Sequence, residues 1–416
     1  MAHPGRLVAA RARVILQTGL GETMNGPLHG VRVLDLSAVI SGPLATQVLA
    51  DQGADVIKVE PPGIGDITRQ LGKLHGGVAA LFLAANRNKR SIVLDLSRPE
   101  GREVLLEIAR GVDVVVQNFR PGAVERMGVD YAALRAVNPE VIYASVYGFG
   151  QDGPASSKRV YDPLIQAAAG YCDTQRGLGR ESRIMRTLVC DKSTAFMAAQ
   201  GITAALYARQ QGAGGQHLKL SMLDAGVAFL WPDAMWNHTL VDDPSPPLPN
   251  LGEIYRITQV ADGEMVILSV SEKEFAGICR AYGREDMLTD ERFVTLAARM
   301  KNAMVLVGIL DAEAAKWRVA ELAPRLAAEE VPFSVVNTRA NLHEDPQIRH
   351  NATLVETQHP AAGRIRLPRH PLRFDGTPTV HRHDAPALGE HTDAVLAEAG
   401  LTAEAIGRLR EAGIAA

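Results

Sequence analysis

A single aspartate, Asp191, stands immediately before a segment whose apolar residues have the spacing of one helical face. An aspartate in that position commonly caps free backbone amides, an interaction worth about 1 kcal/mol. The same amides, together with the positive end of the helix dipole, would keep the carboxylate ionised and fixed, as a carboxylate nucleophile requires. The residues alone therefore leave two interpretations of Asp191 open, a helix cap and a nucleophile.

A second candidate group is the stretch 117–127 (QNFRPGAVERM), which follows a predicted buried strand. It combines an amide, an aromatic ring, a tight turn and two arginines. Open α/β sheets bind ligands at the carboxyl ends of their strands. Phe119 could cover an adenine or a pantetheine arm, and Arg126 could pair with a phosphate through its planar guanidinium. A core phenylalanine and a surface arginine are the alternative interpretation.

The elements that must position these residues alternate between strand and helix. Strands are predicted at 31–37, 55–60, 91–96, 112–117 and 141–146, with helices near 42–54, 97–111, 131–137 and 191–210. Three consecutive valines in the fourth strand are typical of a strand covered on both faces. The alternation predicts an α/β fold with a doubly wound parallel sheet.

The length of 416 residues predicts two or three domains. Four prolines crowd together at Pro244, Pro246, Pro247 and Pro249. They favour a linker at 226–245 and a smaller α+β domain at 246–340, which contains a hairpin turned at 261–263 and helices near 272–282 and 311–322. Residues 1–25 form an N-terminal extension whose three arginines leave a transit peptide, a disordered arm and a misplaced start codon open.

Composition excludes several classes of function. The formal charge is −3 and the sequence pI is near 6.5, so nucleic acid is not an expected partner. Three scattered cysteines favour a reducing, cytoplasmic setting over a disulfide framework. No apolar run approaches the ~18–20 residues that span a bilayer, so we expect no membrane insertion.

Common cofactor motifs are also absent from the sequence. The turn after the first strand, 41–46 (SGPLAT), has one glycine where a dinucleotide fingerprint needs three, so NAD is not expected. His381 and His383 are the nearest approach to a metal pair. Two such histidines in a proline-rich tail more often face solvent, and no metal is expected.

Several blocks of sequence, taken in order, resemble one family over nearly the whole chain. They are 28–36 (LHGVRVLDL), 53–63 (GADVIKVEPPG), 65–69 (GDITR), 88–91 (NKRS), 118–122 (NFRPG), 161–166 (YDPLIQ), 214–216 (GGQ), 221–224 (SMLD) and 388–392 (LGEHT). In this order they resemble the class III CoA transferases, the CaiB/BaiF and formyl-CoA transferase-like family that also includes α-methylacyl-CoA racemases.

The resemblance implies a Rossmann-like large domain formed by 26–225 and a return segment 341–416, the smaller domain between them, and an interlocked homodimer. It implies transfer of CoA from an acyl-CoA donor to a small carboxylic acid through an aspartyl anhydride and an aspartyl-CoA thioester. The catalytic aspartate of the family aligns with Asp191. The implied CoA-binding residues are Leu94, Asn118, Phe119, Ala123, Arg126, Arg159 and Tyr161.

The sequence departs from formyl-CoA transferase-like members at a few positions. Arg159 replaces a lysine and keeps the charge, whereas Ile40 and Pro61 replace a glutamine and an arginine. The segment 247–252 (PLPNLG) stands where those members have a glycine-rich loop that closes over the aspartate. These differences argue against oxalate as the acceptor.

Two rival functions remain open from the sequence. A racemase on the same fold needs two groups that exchange a proton at the α-carbon, and the family's racemases have a histidine where this chain has Tyr161, before Asp162. A tyrosine with an ordinary pKa of about 10 is a poor base at neutral pH, which favours the transferase. The other rival is a CoA-binding protein without catalysis, in which Asp191 is only a cap.

Overall fold

The computed structural model describes residues 25–176 and 181–416. The predicted N-terminal extension, 1–25, lies outside the described residues except for its last residue. Packing divides the chain into two units. The first contains the chain up to Cys172, Arg183–Leu230 and Thr353–Ala416, and the second contains Asp173–Ser182 and Trp231–Ala352. The domain boundaries that were inferred from the sequence remain a prediction, separate from this division into two units.

The strands are β1 (Arg32–Asp35), β2 (Asp55–Glu60), β3 (Leu74–His75), β4 (Val78–Ala79), β5 (Lys89–Val93), β6 (Val114–Gln117), β7 (Ile142–Tyr147), β8 (His217–Ser221), β9 (Thr258–Val260), β10 (Gly263–Ile267), β11 (Phe333–Val335), β12 (Leu354–His359) and β13 (Gly363–Pro368).

The helices are α1 (Ser41–Asp51), α2 (Ala80–Asn86), α3 (Pro99–Ala109), α4 (Ala123–Met127), α5 (Tyr131–Val137), α6 (Asp162–Ala168), α7 (Tyr171–Thr174), α8 (Val189–Ala208), α9 (Met222–Ala234), α10 (Trp236–Thr239), α11 (Leu251–Ile254), α12 (Glu272–Tyr282), α13 (Leu296–Lys301), α14 (Ala303–Ala314), α15 (Val319–Ala328), α16 (Pro346–His350), α17 (Thr392–Glu398) and α18 (Ala403–Glu411). Short 3₁₀ turns occur at Ile67–Gln70, Glu285–Leu288 and Leu342–Glu344, and a π turn, Arg209–Ala213, extends α8.

The first unit is built on a six-stranded sheet in the order β5-β2-β1-β6-β7-β8, with every pair parallel. Counted along the chain, these strands have the order of a Rossmann sheet, so the predicted Rossmann-like fold is confirmed. The order reverses between β1 and β6. In such sheets the ligand crevice opens beyond the carboxyl ends of the two strands at that reversal.

Both faces of this sheet are covered by helices. Strand residues alternate between the faces, so Leu34 and Val115 pack with α3, α5, α17 and α18, whereas Val33 and Val114 pack with α1 and α8. The C-terminal helices thus complete one layer of the first unit. On the opposite face α1 and α8 pack against each other, which brings the N-terminal turns of both helices to the same side of the sheet.

The second unit has its own antiparallel sheet, β11-β10-β9, and its own apolar core. The predicted hairpin is present as β9 and β10, and the helix predicted at 272–282 is α12. The single helix predicted at 311–322 is wrong, because α14 ends at Ala314 and α15 begins at Val319. Within the described ranges, no helix of either unit is both long and apolar enough to cross a bilayer.

Candidate active site

Asp191 lies in the first turn of α8, two residues after the helix begins at Val189. The expectation that it stands just before the helix is therefore wrong. Leu188 is the N-cap residue and makes no side-chain capping bond. The periodic apolar pattern of this helix begins only at Ala195, so it does not indicate the first turn. Asp191 does not cap its helix.

The environment of Asp191 changes its acidity. Burial raises its pKa to about 7, the nearby Asp162 carboxylate raises it as well, and a hydrogen bond from the Ser41 hydroxyl acts in the opposite direction. At neutral pH the carboxyl group is consequently close to its titration midpoint. Buried carboxyl groups with perturbed pKa values are concentrated at functional sites, where proton and acyl chemistry depends on the ionisation state.

Asp162 and Gln166, both buried on α6, hold the chain around Asp191. The Asp191 backbone N–H donates to Oδ2 of Asp162 at 2.8 Å, and Gln166 Nε2 donates to Oδ1 at 2.6 Å. Gln166 also donates to the carbonyls of Met185 and Thr187 at 3.2 and 3.0 Å and accepts from the Met185 N–H at 2.9 Å. The segment that leads into α8 is therefore fixed by one amide side chain.

Ser41 comes to Asp191 from the other side, as the first residue of α1. The start of this helix lies very close to the end of β1, since a Cβ added at Gly42 would sit 2.2 Å from the Ser37 Cβ. Only glycine fits there. Pro43 is tolerated in the first turn because the backbone N–H that it lacks has no partner within the helix. The two helices α1 and α8 pack against each other on this face of the sheet, and their first residues include Ser41 and Asp191.

Asn118, predicted to bind CoA, follows β6 at the point where the strand order reverses. Its Oδ1 accepts from the Ala38 N–H at 2.9 Å, and its Nδ2 donates to the Ala38 carbonyl at 2.8 Å. The amide therefore bridges the loops after β6 and β1. Phe119 is half-buried and packs against the core beside α3 and α5, so its ring contributes to packing.

Ala123 and Arg126, also predicted to bind CoA, lie on α4 just beyond this loop. The helix begins after Gly122, whose φ of +80° is left-handed and suits glycine. A Cβ at Gly122 would lie 2.9 Å from Nη1 of Arg126, so the arginine folds back over the turn. Ala123 is half-buried and Arg126 is exposed.

The remaining predicted CoA-binding residues follow other strands at the same sheet edge. Leu94 comes directly after β5, is 1% exposed and pairs through its backbone with Ala415. Arg159 and Tyr161 lie after β7, and both are exposed, Tyr161 by 68%. Tyr161 is the N-cap residue of α6 and adjoins Asp162. Leu94 offers a ligand only its backbone, whereas Arg159 and Tyr161 offer side chains.

A buried ionic cluster, which was not expected from the sequence, lies within this sheet. Lys58 Nζ lies 2.9 Å from Asp66 Oδ2, and Lys89 Nζ lies 2.9 Å from Asp35 Oδ2, with all four side chains almost completely buried. Burial lowers the pKa of Lys89 to about 8, although Asp35 opposes this. The signal was a lysine in the middle of the otherwise apolar part of β2, which demands a partner when the strand is covered on both faces.

Comparisons with known proteins agree with this geometry. Residues 28–392 match the model of CoA-transferase family III. The chain is 33% identical over 385 residues to a succinate–glutarate CoA-transferase from Agrobacterium fabrum, with 89% of this chain and 95% of the relative covered. It is 34% identical over 381 residues to an acetyl-CoA:oxalate CoA-transferase from Acetobacter aceti, with 90% and 96% covered.

A solved structure gives the same result for the fold. The crystal structure of a CaiB/BaiF family protein from Brucella suis superimposes with a TM-score of 0.81 at 34% identity, covering 90% of this chain and 100% of that one. The chain belongs to the class III CoA-transferase family. It is an enzyme of the class III CoA-transferase type, and a substrate of this type is an acyl-CoA.

Proposed function

We propose that Asp191 is the nucleophile that carries the acyl group and then CoA between donor and acceptor. The observation that carries this proposal is the Asp191 carboxyl itself, half-buried on the first turn of α8 beside Asp162, with a pKa raised to about 7 by desolvation and by the Asp162 carboxylate. Free amides at helix N-termini favour an ionised carboxylate and developing oxyanions.

The reaction proceeds by four exchanges at carbonyl carbons. A carboxylate oxygen of Asp191 attacks the donor thioester, the C–S bond breaks, and CoA thiolate leaves a mixed anhydride. The thiolate attacks the aspartyl carbonyl and releases the donor acid, which gives an aspartyl-CoA thioester. The acceptor carboxylate displaces the thiolate, and the thiolate then attacks the acceptor's acyl carbon and frees Asp191. Each step exchanges acyl bonds, so water must be excluded.

CoA lies, in this proposal, along the carboxyl edge of the sheet. Arg126 and Arg159 are exposed cations after neighbouring strands, and a protein with a net charge of −3 must hold phosphates with such local groups. In the same proposal, CoA also contacts Tyr161 and the backbone of Leu94. Asn118, Phe119 and Ala123 are its other proposed contacts. The planar guanidinium groups suit phosphate oxygens.

We propose a dicarboxylic acid as acceptor and succinyl-CoA as donor. The support comes from relatives, since the Agrobacterium fabrum protein is named for succinate and glutarate, and a human relative at 30% identity is named a succinyl-CoA:glutarate CoA-transferase. By the family resemblance, formyl-CoA transferase-like members have a glutamine where this chain has the apolar Ile40, directly before α1. A longer, partly apolar acid fits that change better than oxalate does.

A homodimer is part of the proposal. The outer face of α8 presents Phe196 and Tyr207, which are 52% and 66% exposed, and Leu372 lies along the same cleft. Contiguous exposed apolar side chains of this kind mark protein interfaces. The second copy would cover them, in the interlocked arrangement that the family resemblance implies.

All three cysteines are free, which supports a reducing, cytoplasmic setting.

The decisive test is mass spectrometry of the enzyme incubated with succinyl-, glutaryl- and acetyl-CoA, with and without hydroxylamine. We expect a CoA adduct on the peptide that contains Asp191, its conversion to a hydroxamate, and loss of both adduct and turnover by at least ~10³-fold in Asp191→Ala. Binding of acyl-CoA without an adduct or exchange would support a non-catalytic binding protein. α-Proton exchange in deuterated water without an adduct would support a racemase.

A further inference from the structure

A chain of hydrogen bonds links the loop after β6 to the strands β7 and β8. The Phe119 N–H donates to Gln117 Oε1 at 2.7 Å, and Gln117 Nε2 donates to Ser145 Oγ at 2.8 Å. Ser145 Oγ in turn lies 2.8 Å from Nε2 of His217, the first residue of β8. Side chains therefore connect this loop to the edge strand of the sheet.

The bonds of this chain have a defined direction. A backbone N–H can only donate, so the Gln117 atom beside the Phe119 N–H is the amide oxygen, and the amide nitrogen faces Ser145. Because Ser145 Oγ accepts from that nitrogen, its own proton can be donated to Nε2 of His217. The chain is satisfied by the neutral His217 tautomer that carries its proton on Nδ1.

The surroundings of His217 suit this neutral form and hold its ring. The ring centroid lies 4.9 Å from that of Tyr131 and 5.3 Å from that of Tyr143, and the second pair is edge to face. Burial lowers the pKa of His217 from its ordinary value of 6.5. The imidazole is therefore neutral at neutral pH and can accept the Ser145 proton.

Buried polar side chains at the end of β6 are unusual in a sheet that is covered on both faces. Gln117 is 0% exposed and Ser145 is 1% exposed, whereas the other residues of β6 are valines. Burial of an amide or a hydroxyl is unfavourable unless each group finds a partner. A satisfied network of this kind specifies one arrangement of the core. Its effect here is to fix the end of β6 in one position.

The loop held by this chain carries two of the proposed CoA contacts. Gln117 fixes the backbone N–H of Phe119, and the intervening Asn118 binds the N–H and the carbonyl of Ala38 at 2.9 and 2.8 Å. The next residue, Val39, has a left-handed φ of +70°, which β-branched residues adopt only where their surroundings impose it. The backbone positions of both loops at the ligand crevice therefore depend on the bonds of Gln117.

We infer that His217 and Ser145 are positioning residues for CoA binding, which act through Gln117 on the loop backbone without touching the substrate. The inference rests on the proposed CoA site and extends it to two neighbouring strands. Asp191 is held separately, by the bond from its backbone to Asp162 on α6. Loss of the chain should therefore weaken the binding of CoA and leave the chemical step unchanged.

The experiment compares wild type with His217→Phe, His217→Gln and Ser145→Ala. Phenylalanine keeps a ring beside Tyr131 and Tyr143 but removes the acceptor, whereas the glutamine side-chain oxygen can replace Nε2. Calorimetric titration with free CoA gives Kd, and steady-state kinetics with succinyl-CoA gives KM and kcat. We expect His217→Phe and Ser145→Ala to raise Kd and KM by about 5–20-fold with kcat within about 2-fold of wild type. His217→Gln should return both toward wild type.

A double variant tests whether the two residues act as one chain. His217→Phe combined with Ser145→Ala should weaken CoA binding no more than either single change, and additive losses would contradict the chain. Tyr131→Phe is the matched control. It keeps the ring beside His217 and removes a hydroxyl that makes no hydrogen bond within residues 25–176 and 181–416. Its Kd for CoA should equal that of wild type, and thermal unfolding verifies that every variant is folded.

Failure of this inference is distinct from failure of the proposed function. An unchanged Kd in folded His217→Phe and Ser145→Ala would overturn the inference and leave the CoA site intact. A fall in kcat alone, or an equal loss of binding in His217→Gln, would also overturn it. An absence of CoA binding in wild type would overturn the proposed CoA site before the variants are compared.

Discussion

At the residue scale, the chemistry of the site depends on how much it costs to ionise one carboxyl group. Asp191 is half-buried next to Asp162, both of which effects raise its pKa, and Ser41 acts in the opposite direction. The folded protein therefore binds a proton at Asp191 more tightly than the unfolded chain does. The proposed reaction requires the ionised form, so in this proposal the site keeps a group that opposes folding at the pH where the enzyme works.

This conflict predicts a stabilising substitution. The pKa of Asp191 rises on folding from 3.8 to about 7, so its contribution to stability is present below pH 4 and is lost as the pH rises through 7. Asp191→Asn should be more stable than wild type at pH 8 by on the order of 1–2 kcal/mol and equal to it near pH 4. Thermal unfolding at both pH values checks this. The same change at the exposed Asp152 should produce no pH-dependent gain.

Tyr161 separates the transferase from the racemase at the same scale. Its side chain is largely exposed at the start of α6, and the proposed reaction moves no proton through it. Tyr161→Phe should keep turnover within about 3-fold of wild type, because only the hydroxyl is removed. Steady-state kinetics measures this, with α-proton exchange recorded in parallel. A loss of about 10²-fold or more would indicate that the hydroxyl takes part in chemistry.

At the scale of elements, α6 sets the position of α8. Gln166 uses both ends of its amide to bind Asp162 and the segment at Met185 and Thr187. The segment that leads into α8 belongs to no helix or strand, and these bonds hold it to α6. The orientation of the Asp191 side chain therefore depends on the hydrogen bonds of Gln166 as well as on α8 itself.

Gln166→Ala should therefore affect turnover more than binding. The loss of these bonds costs about 1–3 kcal/mol of stability, and displacement of Asp191 by about 1 Å should lower kcat by about 10–100-fold, with little change in the KM for acyl-CoA. Steady-state kinetics and denaturant unfolding measure the two effects. Gln200→Ala, an exposed glutamine on α8, is the control. A change in KM alone would argue that Gln166 touches substrate.

At the scale of the whole molecule, the first unit leaves an apolar face uncovered. Phe196 and Tyr207 project from the side of α8 that faces away from the sheet. In water such a face favours association, since burial contributes about 25 cal/mol for each Å² of apolar surface. Helix α8 would then have the sheet on one side and a second subunit on the other.

The proposed dimer can be tested at this face. Tyr207→Glu should shift the protein from dimer to monomer or aggregate, because a charge cannot be buried without a partner. Tyr207→Phe keeps the ring and should remain dimeric. Size-exclusion chromatography with light scattering measures both variants. A wild-type monomer, or a dimer that tolerates Tyr207→Glu, would contradict the proposed interface.

Local patterns in the sequence were sufficient to predict much of the fold of this protein. Runs of apolar residues with period two or near 3.6 predicted the α/β fold and the parallel sheet, and β2, α5 and α12 have the predicted bounds. The ordered motifs predicted the family and singled out Asp191. These features depend on neighbours along the chain, so they can be recognised before the chain is folded.

Only the tertiary structure decided what surrounds Asp191. Ser41, Asp162 and Asp191 are far apart in the sequence, and Asn118 meets Ala38 across 80 residues. Such contacts depend on strand order, helix packing and side-chain direction, none of which leaves a local pattern. The strained Val39, the buried Lys58–Asp66 pair and the Gln166 bonds were invisible for the same reason: each is set by partners that the sheet brings together only when it has formed.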